Sequence, residues 1–189
     1  MLEHLLQIDE NLFLFLNGLH HPFFDPIMWF ASGKIQWTPL YALLIFFLIR
    51  KYKWKSVGIL IGVALVITMA DQVAYHGFKE TFCRLRPSHE PHLANTIHIL
   101  KDYRGGQYGF VSNHASNVFA LAMYLSLIVR KKWFVLSIFA WAVLVSYSRI
   151  YLGVHYPGDI LGGALLGAGC GTFGYVLLIF VSSRLNKQT

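Results

Sequence analysis

The sequence predicts an all-α fold, a polytopic membrane bundle of about five to six transmembrane helices with an interfacial amphipathic helix at its N-terminus. Three observations predict it. The chain of 189 residues is 56% hydrophobic and only 13% charged, with a mean hydropathy of +0.50, whereas soluble domains carry about 25% charged residues. Its apolar residues gather into runs of the length that crosses about 30 Å of hydrocarbon. Its basic residues, which give a formal net charge of +7, fall in short clusters between those runs and so record an orientation in the bilayer. By length the chain is a single domain, 1–189.

Residues 1–36 form the N-terminal segment. Met1-Leu2-Glu3-His4 lacks the basic start of a secretory signal. Leu5, Leu6, Ile8, Leu12, Phe13, Phe15 and Leu16 fall largely on one helical face, interrupted by Glu10 and Asn11. Such a helix lies in the interface rather than crossing it. Asn17-Gly18, Pro22 and Pro26 break it, and Trp29 and Phe30 are interface aromatics. Trp37 to Ile49 is short of the roughly 20 residues a span needs. The first span therefore borrows from 27–36, with a distortion near Gly33 and Pro39.

The second span runs from Val57 to about Phe78 and carries Asp71 and His76. A long polar connection follows, 79–111, the expected outer active-site loop. His114 to Val129 is the third span, Trp133 to Tyr147 the fourth, and Pro157 to about Val181 the fifth. In the last of these Gly158, Gly162, Gly163, Gly167, Gly171 and Gly174 form a small-residue stripe suited to close helix packing. Cys83 sits beside arginines and Cys170 in a glycine-rich apolar run, settings too different for a disulfide.

Charge then sorts the loops. Arg50, Lys51, Lys53, Lys55, Arg130, Lys131, Lys132, Arg184 and Lys187 share one face of the membrane, with no acidic residue among them. The positive-inside rule makes that face, and the C-terminus, cytoplasmic. The N-terminal segment, the 79–111 connection and the 148–156 loop share the outer face, which is periplasmic in the inner membrane of a bacterium.

Chemistry concentrates in three stretches on that outer face. The first is Ser148-Arg149-Ile150-Tyr151-Leu152-Gly153-Val154-His155-Tyr156-Pro157-Gly158-Asp159. Pro157 suits the first turn of a helix, so Asp159, four residues after His155, can hold one imidazole nitrogen. The other nitrogen is left free as base, nucleophile or metal ligand. Arg149 adds a two-pronged donor for an oxyanion. Alone, a His–Asp pair at a helix start is as often structural as catalytic.

The second stretch, Lys79-Glu80-Thr81-Phe82-Cys83-Arg84-Leu85-Arg86-Pro87, puts basic residues on the side where they are not expected, and binding an anion is a good reason for that. Asp71 lies eight residues before Lys79, two turns deeper on nearly the same helical face, and is expected to pair with a cation of the site. The third stretch, Gly109-Phe110-Val111-Ser112-Asn113-His114, opens a span. Ser112 or Asn113 can cap that helix, whose free N–H groups face any nearby anion. His114 would stand in the first turn beside the His155 loop, and two histidines at a basic anion site fit one nucleophile and one general acid. His4, His20 and His21 look interfacial. His89, His92 and His98 lie in the connection, where His89 and His92 are the pair a zinc site would use.

Together these stretches resemble the type 2 phosphatidic acid phosphatase (PAP2) superfamily, whose pattern is K-x6-R-P, then P-S-G-H, then S-R-x5-H-x3-D. Lys79 with Arg86-Pro87 matches the first motif, and Ser148, Arg149, His155 and Asp159 match the third. Val111-Ser112-Asn113-His114 keeps Ser and His of the middle motif but has Val for Pro and Asn for Gly, changes that bear on loop conformation and pocket width. The resemblance implies that His155 is a nucleophile forming a phosphohistidine, that Asp159 orients it, and that His114 protonates the leaving oxygen. It implies a phosphate cradle of Lys79, Arg86, Arg149 and Ser112, with the N–H of Asn113 or His114. Asp71 and Arg84 stand around that cradle, and Arg84 and Arg104, which match no family position, are expected at lipid headgroups.

No metal and no cofactor are implied, since three cations already compensate the charge of a phosphoryl group. The expected partners are the bilayer and a lipid phosphate, with no nucleic acid. The candidate substrates are undecaprenyl diphosphate, a lipid A phosphate, phosphatidylglycerophosphate and phosphatidate. A catalytically silent lipid-binding or transport protein on the same scaffold is the alternative, against which the intact motif residues argue. Vanadium haloperoxidases resemble the same motifs, but they are soluble and this chain is not.

Overall fold

The computed structural model describes residues 1–185, and its regular structure among them is helical, with one isolated antiparallel bridge between Leu85 and Tyr108. In chain order the helices are α1 (Leu2–Gly18), α2 (Asp25–Ser32), α3 (Thr38–Tyr52) and α4 (Lys55–Gln72). The chain continues from α4 through a π-helical segment, Val73–Lys79, into the short α5 (Glu80–Phe82). After the connection come α6 (Asn113–Val129), α7 (Lys132–Tyr151) and α8 (Pro157–Leu185).

Three of these are long and apolar enough to cross a membrane: Lys55–Phe82, Lys132–Tyr151 and Pro157–Arg184. α2 with Ile35–Tyr52 makes a fourth if counted as one span, bent by 83°. The bend falls at Gly33, where the backbone turns extended (φ −77°, ψ 148°). Pro39, expected to distort the span, instead sits in the first turn of α3, where its missing N–H costs no hydrogen bond. α6, at 17 residues, is shorter than that measure, so length and composition give three or four spans where the sequence suggested five to six.

α6 is the helix the others surround. α8 lies against it with backbones nearly touching, as the glycine stripe predicted. A Cβ added at Gly163 would stand 2.6 Å from the carbonyl oxygen of Ser112, and one at Gly171 would stand 2.6 Å from that of Ala120. Leu121, Tyr124 and Leu125 of α6 meet Ile59 and Val66 of α4 and Ile138, Trp141 and Val145 of α7 in the main core.

The basic clusters gather at the end of the bundle away from the three motifs. Tyr52 donates to the carbonyl of Ile128 (3.1 Å), and the Arg130 guanidinium donates to the Tyr175 hydroxyl, which brings the α3–α4 turn, the α6–α7 turn and the lower part of α8 together. Lys187, counted with them in the sequence, lies outside the described residues.

The N-terminal segment reaches deeper than an interfacial role requires. α1 leaves Leu5, Leu6, Ile8, Leu12 and Phe15 exposed but buries Phe13 and Asn17 completely against the bundle. The Asn17 amide donates to the carbonyls of Ile150 (3.1 Å), Tyr151 (3.0 Å) and His98 (3.0 Å), so it satisfies the free end of α7 and pins the connection. α2 packs on α7, with Tyr151 donating to Asp25 at 2.6 Å.

Candidate active site

The sequence around His155 folds as it does because α7 ends in a Schellman turn. The N–H of Gly153 donates to Ile150 (2.9 Å), the N–H of Val154 donates to Arg149 (3.1 Å), and Gly153 takes the left-handed φ of +76° that such a turn needs. Ser148 and Arg149, expected in a loop, are therefore in the last turn of α7 and are buried. The turn delivers His155 just ahead of α8, and Pro157 begins that helix.

His155 is 1% exposed and held at both ring nitrogens. Nδ1 lies 3.1 Å from Oδ2 of Asp159, and Nε2 lies 3.1 Å from Nη1 of Arg86. A guanidinium can only donate, so Nε2 carries the lone pair and Nδ1 the proton that goes to Asp159. Burial first, then the charges of Arg86, Arg149 and Lys79, hold the His155 pKa well below the ordinary histidine value. The imidazole is neutral with its lone pair toward the cations, which is the form a nucleophile requires.

Asp159 is wholly buried, and each of its oxygens is occupied. Oδ2 accepts from His155 Nδ1 and from the Tyr156 N–H (3.1 Å), and Oδ1 accepts from Arg84 Nη1 at 3.1 Å. Arg84, expected at a headgroup, is thus turned inward onto this carboxylate. Its Nη2 donates to Asp9 of α1 at 2.8 Å.

Three cations surround the free side of His155. Lys79 closes the π-helical segment and, among the described residues, donates only to the Tyr108 carbonyl, at 3.4 Å. Arg86 is set by a short antiparallel pairing in which its N–H donates to Gln107 (3.1 Å) and the Gly109 N–H donates to Arg84 (2.8 Å). Its side chain donates to the carbonyls of Tyr108 (3.1 Å) and Val154 (3.4 Å). Gly105, at φ +67°, makes room for it, since a Cβ there would stand 2.8 Å from Nη1. Burial, then Arg149, lowers the Arg86 pKa to about 10. Arg149, 2% exposed, donates to the Ser32 hydroxyl and to the Tyr103 hydroxyl (3.3 Å), and its Nε has no partner among the described residues. Burial alone would raise the Tyr103 pKa, but the charge and hydrogen bond of Arg149 bring it below the usual tyrosine value. Three buried cations facing one fully engaged carboxylate make a site short of negative charge, and burial makes that shortfall costly.

The start of α6 closes the site. Ser112 is its N-cap, with Oγ accepting from the Ala115 N–H (3.5 Å) and its own N–H donating to the Asp159 carbonyl (3.0 Å). The N–H groups of Asn113 and His114 occupy the first two positions of the helix, where no intrahelical acceptor exists. The Asn113 side chain points elsewhere, to the carbonyl (3.2 Å) and Oδ1 (2.9 Å) of Asp71, and Asn117 donates to the same Oδ1 at 3.0 Å. Asp71 therefore clasps two asparagines of α6, and among the described residues it makes no ion pair with a cation of the site, though its charge reaches Lys79. Asn in place of the family Gly ties α6 to α4.

His114 lies within electrostatic reach of His155. It lines the polar end of a cleft of about 600 Å³ that continues between α3, α4, α6 and α7 along Tyr41, Leu44, Leu48, Leu60 and Leu121. Lys34, from the bend between α2 and α3, stands at the same end.

Other expected residues are engaged away from the site. Arg104 donates to the Ser88 carbonyl (2.9 Å). His89 meets the Ser88 hydroxyl, and His92 pairs with Glu10 (3.1 Å) and Glu90 (3.6 Å). No cluster of three or more His, Cys, Asp or Glu suited to a metal occurs among the described residues. Asp9, Ser32, Lys34 and Tyr103 join the site without any signal in the sequence beyond being polar residues at the edges of apolar runs.

This arrangement has known counterparts. The PAP2 superfamily profile matches residues 58–181. The chain is 40% identical to the lipid A 4'-phosphatase of Bacteroides thetaiotaomicron, with 100% of this chain and 85% of that protein covered. It is 38% identical to the lipid A 4'-phosphatase of Porphyromonas gingivalis, with 97% and 78% covered. Among solved structures it resembles the crystal structure of Aquifex aeolicus LpxE, with a TM-score of 0.64, 26% identity, and 87% of this chain and 92% of that chain covered.

Proposed function

This chain belongs to the PAP2 superfamily and is a membrane lipid phosphatase, and from that premise we propose that it hydrolyses a lipid A phosphate, the 4'-phosphate first, through a phosphohistidine on His155. The observation that carries the reading is His155 Nε2 set against Arg86, with the charges of Arg149 and Lys79 in reach, while Nδ1 is fixed on Asp159. The identity to two lipid A 4'-phosphatases over nearly the whole chain supports the choice of substrate.

In the first step the Nε2 lone pair attacks phosphorus. The bond from phosphorus to the lipid oxygen breaks, and His114 gives that oxygen its proton. The Arg86 donor that rests on Nε2 passes to a phosphate oxygen, and the amides of Asn113 and His114 share the oxyanion with Arg149 and Lys79. In the second step a water attacks the phosphohistidine, gives a proton to His114 and releases inorganic phosphate, which restores His155. The apolar cleft beyond His114 offers the lipid portion of the leaving group a place beside the site.

The reaction needs no metal on this reading. The carboxylate at the nucleophile is fully engaged and the remaining ligands are cations, whereas Mg²⁺ takes oxygen ligands in octahedral geometry. Purified protein should release phosphate fastest from lipid A micelles in a panel with undecaprenyl diphosphate, phosphatidylglycerophosphate and phosphatidate. The rate should hold in excess EDTA, and vanadate should compete with substrate. Loss of activity on chelation, restored by one divalent metal, would overturn the metal-free mechanism. Faster release from another lipid would overturn the substrate.

The one-sided basic turns support a site on the periplasmic face of a bacterial inner membrane, with those turns and the C-terminus on the cytoplasmic side. In a Cys83→Ser background, Asn95→Cys should react with an impermeant maleimide in intact spheroplasts. Lys131→Cys should react only after the membrane is opened. The reverse pattern would invert the topology.

A further inference from the structure

The nucleophile is held from farther away than the motif that contains it. Oδ1 of Asp159 has one side-chain partner, Nη1 of Arg84 at 3.1 Å, and Arg84 is itself held by Asp9 of α1, Nη2 to Oδ2 at 2.8 Å. The other Asp9 oxygen accepts the N–H of Gly158, at 2.7 Å, in the first turn of α8. The Arg84 guanidinium lies 4.1 Å over the ring of Tyr156, whose ring meets Phe13 of α1 at 5.3 Å. Asp9, Arg84, Asp159 and His155 thus form one continuous chain of charged hydrogen bonds from the N-terminal helix to the attacking nitrogen.

We propose that Asp9 and Arg84 are positioning residues for His155, acting through Asp159; the proposal rests on His155 being the nucleophile. Arg84 reaches no free side of the phosphate site, because both of its terminal nitrogens are spent on carboxylates. It supplies the positive charge that a buried Asp159 needs to remain a carboxylate, and it fixes the rotation of that carboxylate so that Oδ2 stays on Nδ1. Asp9 keeps Arg84 from turning to the incoming phosphate, which is the stronger anion. The sequence neighbour Glu10 faces His92 instead and has no such role.

A headgroup contact, a mere anchor for α1 and a positioning chain predict different kinetics. Full-length protein in dodecyl maltoside would be assayed on lipid A micelles for kcat and KM, with melting followed in the same micelles. Outer partners that orient metal-bound histidines cost about 10–100-fold when replaced, and the same scale is taken for partners that orient a catalytic histidine. Asp9→Asn should therefore lower kcat about 10-fold and Arg84→Gln about 100-fold, each with KM within threefold of wild type. The double variant should be no slower than Arg84→Gln alone, since the amide of Asp9→Asn keeps an oxygen for the Gly158 N–H and the lost charge acts through Arg84. Glu10→Gln, which removes the same charge one residue away, should keep the wild-type kcat.

A raised KM with unaltered kcat would make Arg84 a substrate contact and overturn the proposal. Costs that multiply in the double variant, in step with falling melting temperatures, would make Asp9 a structural anchor and overturn it as well. Wild-type kcat in both single variants would overturn the positioning chain alone, whereas a wild-type protein that releases no phosphate from any lipid would overturn the function itself.

Discussion

His155→Ala is expected to lower turnover by at least about 10⁴-fold, the scale on which enzymes lose activity when a covalent nucleophile is removed. The other imidazole at the site, His114, is assigned to proton transfer and lacks a carboxylate partner among the described residues. The groups around Nε2 are Arg86, Arg149 and Lys79, which are held as donors, and Asp159 is saturated by three donors. Quenching a reaction with ³²P-labelled lipid during turnover should trap label on the wild-type protein that is stable to alkali and labile to acid, as a phosphoimidazole is. His155→Ala should trap none. His114→Ala should still trap label when the leaving group is p-nitrophenolate, which departs without a proton. Retention of more than a tenth of wild-type turnover by His155→Ala would end the assignment.

What could be read in the sequence followed from local rules. Gly33 was a break because the apolar run before it and the run after it were each too short, and the structure bends there. The glycine stripe of α8 was close packing because small residues at helical spacing have little other use. Each of these depends only on residues near in the chain.

Two misplacements had a different origin. Asp71 was put on the face of Lys79 by counting eight residues at 3.6 per turn. Val73–Lys79 is π-helical, so the wider turn changes the phase and leaves Asp71 facing α6. Arg84 and Arg86 are two residues apart in a segment paired as an extended strand, which sends both side chains to one side. Spacing alone could not say that Arg86 meets the nucleophile from one side while Arg84 meets the carboxylate behind it. Asp9 was further still from view. As a polar residue next to Glu10 in an amphipathic helix it carries no mark, and only the docking of α1 by Phe13 and Asn17 brings it within 2.8 Å of Arg84.

Asp159→Asn is expected to cost nearly as much as loss of the nucleophile, about 10³–10⁴-fold in kcat, the range seen where a triad carboxylate is replaced by its amide. The reason lies in the three donors that Asp159 accepts. His155 Nδ1 and the Tyr156 N–H both point at Oδ2, and Arg84 Nη1 points at Oδ1. An asparagine has one acceptor oxygen and one NH₂. If the oxygen takes the place of Oδ2, the NH₂ confronts the Arg84 guanidinium with donor facing donor in a buried site. If the oxygen turns to Arg84, the NH₂ confronts Tyr156 N–H and forces Nδ1 of His155 to accept. The proton then moves to Nε2, where it meets Arg86 Nη1 at 3.1 Å and occupies the lone pair that should attack phosphorus. The second orientation blocks the attacking nitrogen, the first sets the Arg84 guanidinium against an NH₂ and loosens the residue that holds His155, and neither disturbs the phosphate cradle. KM should therefore stay within a few-fold of wild type while kcat collapses. Asp159→Asn protein should also bind vanadate less tightly in the state that bonds to Nε2, but still bind inorganic phosphate. A variant that kept more than a tenth of wild-type kcat would mean that the tautomer of His155 is not set by Asp159, and the roles given to Arg84 and Asp9 would fall with it.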